Sequence, residues 1–121
     1  MKRFIALALV AIMAISLVAC GGSGSSGDTI KIGVFEPQSG DNGAGGKQEV
    51  LGMQYANKET PTVKIGDKEY TVELVYADNA SSNDKAPSAA QTLISSGVSV
   101  VLGSYGSGVS IAAGDTFKAA G

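Results

Sequence analysis

Apolar positions along the 121-residue chain change their spacing several times, and each change marks an element. Phe4 to Val18 is an apolar run without a single charge, preceded by Lys2 and Arg3. Thr29 to Phe35 begins as an alternation and ends in a short apolar stretch, which predicts a buried strand. Glu36 to Gly46 is a Gly-rich loop whose only apolar anchor is Ala44. Lys47 to Lys58 predicts a helix, with Val50, Leu51, Met53, Tyr55 and Ala56 on a broad apolar face. Gly52 costs about 1 kcal/mol inside a helix, so close contact with a neighbour is expected there. Thr62 to Ile65, Gly66-Asp67 and Glu69 to Tyr76 form the pattern of a small hairpin whose second arm runs on as a longer strand. Tyr70, Val72, Leu74 and Tyr76 alternate on one face of that arm, and Val75 implies burial on the other.

Asp78 to Asp84 is polar and turn-forming, read as a turn plus a helix cap. Ala86, Ala89, Ala90, Leu93 and Ile94 then fall in one helical stripe. Asp84 is the expected N-cap, Pro87 sits in the first turn, and Gly97 ends the helix. Val98 to Leu102 predicts a short strand of the fully buried kind, and Gly103 to Gly108 a tight turn. A last helix carries Val109, Ala112, Ala113, Thr116, Phe117 and Ala120 on one face, with Gly121 as its C-cap. Strand and helix alternate throughout, which predicts an α/β fold with a doubly wound, mostly parallel sheet. About ninety residues of this kind suffice for a small core. The last helix has no following strand, so a sheet edge is left bare. Residues 29–121 are therefore expected to be the front part of a larger domain.

The amino-terminal pattern changes where that domain is expected to work. Two cations followed by an apolar run have the form of an export signal. The run is shorter than the ~20 apolar residues of a spanning helix, which argues against an uncleaved anchor. An ordinary secretory signal leaves Cys20, the only cysteine, unexplained. Leu17-Val18-Ala19-Cys20 resembles the lipobox of bacterial lipoproteins. That resemblance implies residues 1–19 as a cleaved signal peptide and a diacylglyceryl thioether on Cys20. Residues 20–28, nearly all Gly and Ser, would then be a flexible tether. The expected location is the extracytoplasmic face of the cell membrane, held by lipid and not spanning it.

Removing residues 1–19 leaves seven of the nine cations against eleven carboxylates, a formal net charge of −4. An acidic, externally anchored domain is a poor fit to nucleic acid, which demands clustered Lys and Arg. With no His, and with its one Cys acylated, the chain lacks the usual metal sites and catalytic triads. No internal disulfide can form. Those absences remove many enzyme classes at once, and no cofactor or metal is expected.

Ligands in open α/β sheets lie beyond the carboxyl ends of the strands. Glu36 to Gly46 and Gly103 to Gly108 occupy that position. The second loop carries more chemistry. Tyr105 and Gly106 lead into Ser107 and Gly108, which open a helix with unpaired N–H groups and the positive end of its dipole. Such an end accepts anions, carboxylates included. Ser107 is equally readable as a plain N-cap. GSYGSG is not the G-x-G-x-x-G dinucleotide fingerprint, and Gly43 to Lys47 lacks the spacing of a P-loop.

IKIGVFEPQSGDNGAGGKQEVLGMQYAN, VELVYADNASSNDKAPSAAQTLISSGVSVVLGSYGSG and the helix after them resemble the amino-terminal lobe of type I periplasmic binding proteins. The similarity is strongest to the branched-chain amino-acid (leucine/isoleucine/valine) binding proteins of ABC importers, and it runs from Thr29 to Gly121. The resemblance implies lobe I of a periplasmic binding protein-like I fold, incomplete here. It also implies that Ser107 binds the ligand's α-carboxylate, while Tyr105 and Gly106 line the pocket. An aromatic residue that often covers the ligand in this family corresponds to a position near Gly45, which has no side chain. The second lobe and the groups that hold the ammonium would follow Gly121. The implied function is capture of an amino acid for delivery to membrane permease subunits. A sensory domain of the same fold, reporting ligand to a signalling partner, is the alternative.

Overall fold

The computed structural model describes residues 28–121. The expected signal peptide, Cys20 and most of the tether lie outside the described residues. Seven elements follow in order: β1 (Thr29–Val34), α1 (Gly43–Glu59), β2 (Thr62–Ile65), β3 (Lys68–Tyr76), α2 (Ala86–Ser95), β4 (Val100–Leu102) and α3 (Ser107–Ala120). The strands form one sheet in the order β2-β3-β1-β4. β1 is parallel to both neighbours, pairing Gly33 with Val75 of β3 and with Val101 of β4. β2 and β3 form the antiparallel hairpin that Gly66-Asp67 predicts. The expected mixed α/β fold with a mostly parallel sheet is what the chain adopts.

Helices cover both faces of the sheet. Gly33, Val75 and Val101 share the face under α2 and α3, since a Cβ on Gly33 would lie 3.1 Å from both Leu93 and Val101. The core sits here: Phe35, Ala77, Ala86, Ala89, Ala90, Leu93, Val109 and Ala113 are buried together. Phe35 and Phe117 meet edge to face with centroids 5.4 Å apart. Such a pair adds about 1 kcal/mol beyond the area it buries. The alanines of the α2 stripe let α3 approach closely, which explains why the stripe is poor in larger side chains. On the other face, Met53 and Ala56 of α1 lie beside Ile32, Val72 and Leu74. Val75, out of step with its neighbours' alternation, is partly buried because this stretch of sheet is covered on both sides.

Four details differ from the sequence reading. α1 begins at Gly43, four residues before the expected Lys47, so the last four residues of the Gly-rich loop are helix. Gly46 is the close contact, not Gly52: a Cβ at 46 would collide with the Pro37 carbonyl oxygen, whereas nothing lies within 4 Å of one at 52. α2 is capped at Lys85 without a side-chain bond, and the Ser82 carbonyl accepts from the N–H of Lys85 and Ala86 instead. β4 spans only Val100–Leu102 and is not fully buried, because it is an edge strand with β1 as its one partner. Val100 remains 50% exposed and Leu102 41%. No helix of the described residues is long and apolar enough to cross a membrane.

Candidate functional site

Three loops converge at the carboxyl ends of β1, β3 and β4. The first runs from Phe35 to Asn42, the second from Ala77 to Lys85, and the third from Gly103 to Gly106. Side chains of the second loop tie the first and third together. Asp78 accepts from the Gln38 N–H (2.8 Å), the Ser39 hydroxyl (2.7 Å) and the Ala80 N–H (2.8 Å). Burial pushes the Asp78 carboxyl up, but those donors outweigh it and hold it below the usual aspartate value. Asn79, completely buried, donates its amide to the Phe35 carbonyl (3.1 Å) and to Ser104 Oγ (2.9 Å), and accepts from the Ser81 N–H (3.1 Å). Ser81 in turn accepts from the Asn42 N–H and donates to the Ser39 carbonyl. Ala80 and Ser81 both sit at positive φ (55° and 56°), a strained pair of residues held by these bonds.

Sequence reading takes residues 78–84 for an ordinary turn and cap; they are instead the lock between the loops. Asn and Ser are common turn residues, so nothing in their spacing distinguishes a turn from a buried bridge.

The third loop carries the predicted ligand residues. Gly103 approaches β1 so closely that a Cβ there would lie 2.6 Å from Glu36 Oε1 and collide with the Phe35 carbonyl. The Ser104 N–H donates to Ser110 Oγ at 3.1 Å, and the Tyr105 N–H to Glu36 Oε2 at 2.8 Å. Tyr105 itself is half exposed, with its ring laid on Gly45: a Cβ at 45 would be 2.6 Å from the ring. The residue without a side chain is thus the seat of the tyrosine ring.

Gly106 is the extended N-cap of α3, and Ser107 its first helical residue. The Ser107 side chain is exposed and caps nothing, so plain capping is not its role. The Val109 and Ser110 N–H groups both bond the Gly106 carbonyl. Those of Ser107 and Gly108 find no partner among the described residues, and the Asn42 and Asn83 side chains lie beside Gly106 and Gly108. Two free amides, a free hydroxyl and the positive helix end are donors of the kind a small anion accepts from.

Glu36 is the residue that sequence reading missed. It is 1% exposed, yet it is a carboxylate directly after an apolar strand. Burial above all, with the neighbouring Glu49 carboxyl, raises its pKa to about 7, against the Tyr105 N–H, which lowers it. Its signal in the sequence is faint: a charge where the buried run TIKIGVF has not yet surfaced. Among the described residues no group of three metal-ligating side chains comes together.

Residues 29–121 match the periplasmic binding protein family. The chain belongs to that family. It is 34% identical over 102 residues to a Leu/Ile/Val-binding protein homologue of Brucella abortus (strain 2308), an alignment covering 84% of this chain and 27% of that protein. Among solved structures, a leucine binding protein (LivK) from Thermotoga maritima matches with TM-score 0.64 and 34% identity, over 72% of this chain and 24% of the other. The branched-chain amino acid transporter substrate binding protein LivJ of Streptococcus pneumoniae, solved with isoleucine, matches with TM-score 0.65 and 33% identity, over 77% and 27%. The chain thus spans about a quarter of the length of these relatives. They are solute-binding proteins, not enzymes.

Proposed function

We propose that this chain is the ligand-gripping part of the first lobe of a lipid-anchored, extracytoplasmic solute-binding protein, which captures a branched-chain or similar amino acid for an ABC importer. The observation that carries the reading is the pair of unpartnered amides at Ser107 and Gly108 beside the free Ser107 hydroxyl. A carboxylate accepts from all three, and a charge-assisted bond is about twice as strong as a neutral one. Tyr105 supplies the adjacent wall for the ligand's side chain, with Gly106 beneath it. Similarity to relatives named for leucine, isoleucine and valine supports the ligand class. No chemistry is performed; the ligand is bound and passed to permease subunits in the membrane. Lipid on Cys20 would keep the domain beside them.

A second lobe closing over the first would bury the rest of the ligand, as hinge-closing binding proteins do. On this lobe alone much of the amino acid stays in water, and affinity is weak. Saturation-transfer NMR, which detects weak binding, tests the reading. L-leucine and L-isoleucine are expected to give a signal with the wild-type chain that Ser107→Ala reduces severalfold. An equal signal from both proteins would refute the assignment. For the anchor, a lipid adduct on Cys20 in the intact mass of membrane-extracted protein is the expected result, and an unmodified thiol the contrary one.

A further inference from the structure

The buried residues of α1 are Gly43, Gly46 and Val50, and Lys47, Leu51, Tyr55 and Lys58 are all exposed. At the turn of an α-helix those four fall within about 80° of one another, one continuous stripe along its length. Leu51 is 57% exposed and Tyr55 67%, one turn apart, and a lysine stands one turn beyond each. Neither lysine has an ion pair among the described residues. Glu49 is on the opposite flank of the helix, and Glu59 is about a quarter-turn round from the stripe. The stripe is therefore cationic, although residues 20–121 as a whole are acidic, with seven lysines against eleven carboxylates. An apolar centre between two unpaired cations fits negative head groups over an apolar layer. Leu51 and Tyr55 would enter the boundary, while the lysine stems lie along it with their ammonium groups at the phosphates.

The place where the chain enters the domain brings this stripe within reach of a bilayer. The Thr71 N–H donates to the Asp28 carbonyl, and the Val72 N–H to the Pro61 carbonyl. Asp28 follows the Gly/Ser segment, and Pro61 stands two residues after the end of α1. The segment and the carboxyl end of α1 thus reach the sheet at adjoining residues of β3, at the end away from the ligand loops. Seven residues, all Gly or Ser, separate Cys20 from Asp28. A chain of that length and composition spans about 15 Å on average. α1, with its 17 residues, is about 26 Å long. Lipid held at residue 20 therefore lies close enough for the whole stripe to meet it.

We propose that the stripe of Lys47, Leu51, Tyr55 and Lys58 docks on anionic phospholipid, laying α1 along the membrane to which the chain is tethered. Two lysines and two apolar side chains bind weakly by themselves. On so short a tether they meet lipid at an effective concentration on the order of millimolar, and a weak contact then suffices. The docked pose holds the ligand loops, at the amino end of α1, beside the membrane of the proposed permease subunits. It rests on the reading of the chain as held to the membrane at residue 20, and not on the carboxylate site.

The test places the 15N-labelled full chain on phospholipid nanodiscs that carry a nitroxide on the lipid head group, which broadens amides close to the surface. Where the intact mass shows no lipid on Cys20, its thiol is coupled to a maleimide lipid, so failure of the anchor reading leaves the docking test intact. Broadening centred on Lys47, Leu51, Tyr55 and Lys58 is expected in discs containing about one quarter phosphatidylglycerol. In pure phosphatidylcholine it is expected to be severalfold weaker. The double variant Lys47→Gln, Lys58→Gln is expected to give the weaker pattern in the anionic discs as well, with unchanged β1 amide shifts showing that it folds. Should the variant not fold, the comparison of the two lipids decides alone. Broadening that is equal in both lipids, centred on another face or spread evenly over the domain overturns the proposal. An unbroadened stripe overturns it too, and leaves that face to a protein partner.

Discussion

Gly46 and Gly52 occupy the same helix and have opposite physical reasons. Gly46→Ala drives a methyl into the Pro37 carbonyl, backbone that cannot step aside. A loss of about 1–3 kcal/mol is expected from such overpacking. Gly52→Ala meets open space and replaces the poorest ordinary helix former, so a gain of about 0.5–1 kcal/mol is expected. Denaturant melts of the two variants check both signs. Glu36 and Asp78 set opposite pH dependences. Below pH 4.5 Glu36 is protonated whether the chain is folded or not. Between 4.5 and about 7 the unfolded chain has lost the proton that the fold retains, so stability falls as pH rises, by up to about 1.4 kcal/mol per pH unit. Above that window the penalty is complete and constant. Asp78, held below 3.8, contributes stability at higher pH that is lost as pH falls through its folded value. Glu36→Gln is expected to flatten the stability profile between pH 5 and pH 7, and an unchanged slope in denaturant melts at those two pH values would contradict the assignment.

At the scale of elements, β1 is the strand with a parallel partner on each side, and β4 the one at the parallel edge. β1 amides are expected to exchange slowest with deuterium, and the outward-facing amides of β4 fastest among the strands. Equal protection in β1 and β4 would mean that the edge is covered. The alternation of strand and helix was legible because period 2 and period 3.6 are distinct in TIKIGV, EYTVELVY and the Ala86 to Leu93 stripe. The start of α1 was not, because Gly43, Gly45 and Gly46 read as loop when helix propensity alone is weighed. They are glycines because Gln38, Tyr105 and Pro37 press against that turn, which only the tertiary arrangement reveals. β4 was misjudged for a related reason: VSVVL has the composition of a central strand, and burial depends on neighbours that composition does not count. The loop cluster divides the same way. That Ser107 and Gly108 open a helix was legible from the Gly-rich turn before them, whereas Asn79 and Glu36 act through partners 25 to 69 residues away in sequence. Asn79→Ala would strand the Phe35 carbonyl and loosen Ser104, an expected loss of about 1–3 kcal/mol by denaturant melt.

The described residues present a cluster of loops at the carboxyl ends of the strands and exposed apolar side chains elsewhere. Leu51, Tyr55, Val100, Leu102 and Ile111 are all more than 40% exposed, Val100 and Leu102 on the edge strand β4 itself. Exposed apolar surface beside an unpaired strand edge favours association. The chain alone is expected to be marginally stable and to self-associate, as seen by sedimentation; a monomer with a cooperative, high-temperature melt would argue against its reading as part of a larger domain. Ser107→Ala belongs at this scale too, because it separates folding from binding. The exposed, non-capping hydroxyl should cost less than about 0.5 kcal/mol when removed, while the ligand response falls severalfold.

The most direct measurement is a map of backbone amide shifts in the 15N-labelled chain as L-leucine or L-leucinamide is added. The two differ only at the carboxylate that the α3 amino terminus is proposed to hold. Shifts centred on Ser107 and Gly108 with leucine, and little change with leucinamide, are the expected result. Equal responses to both, or leucine shifts that leave Ser107 and Gly108 unmoved, would contradict a carboxylate site at this helix end.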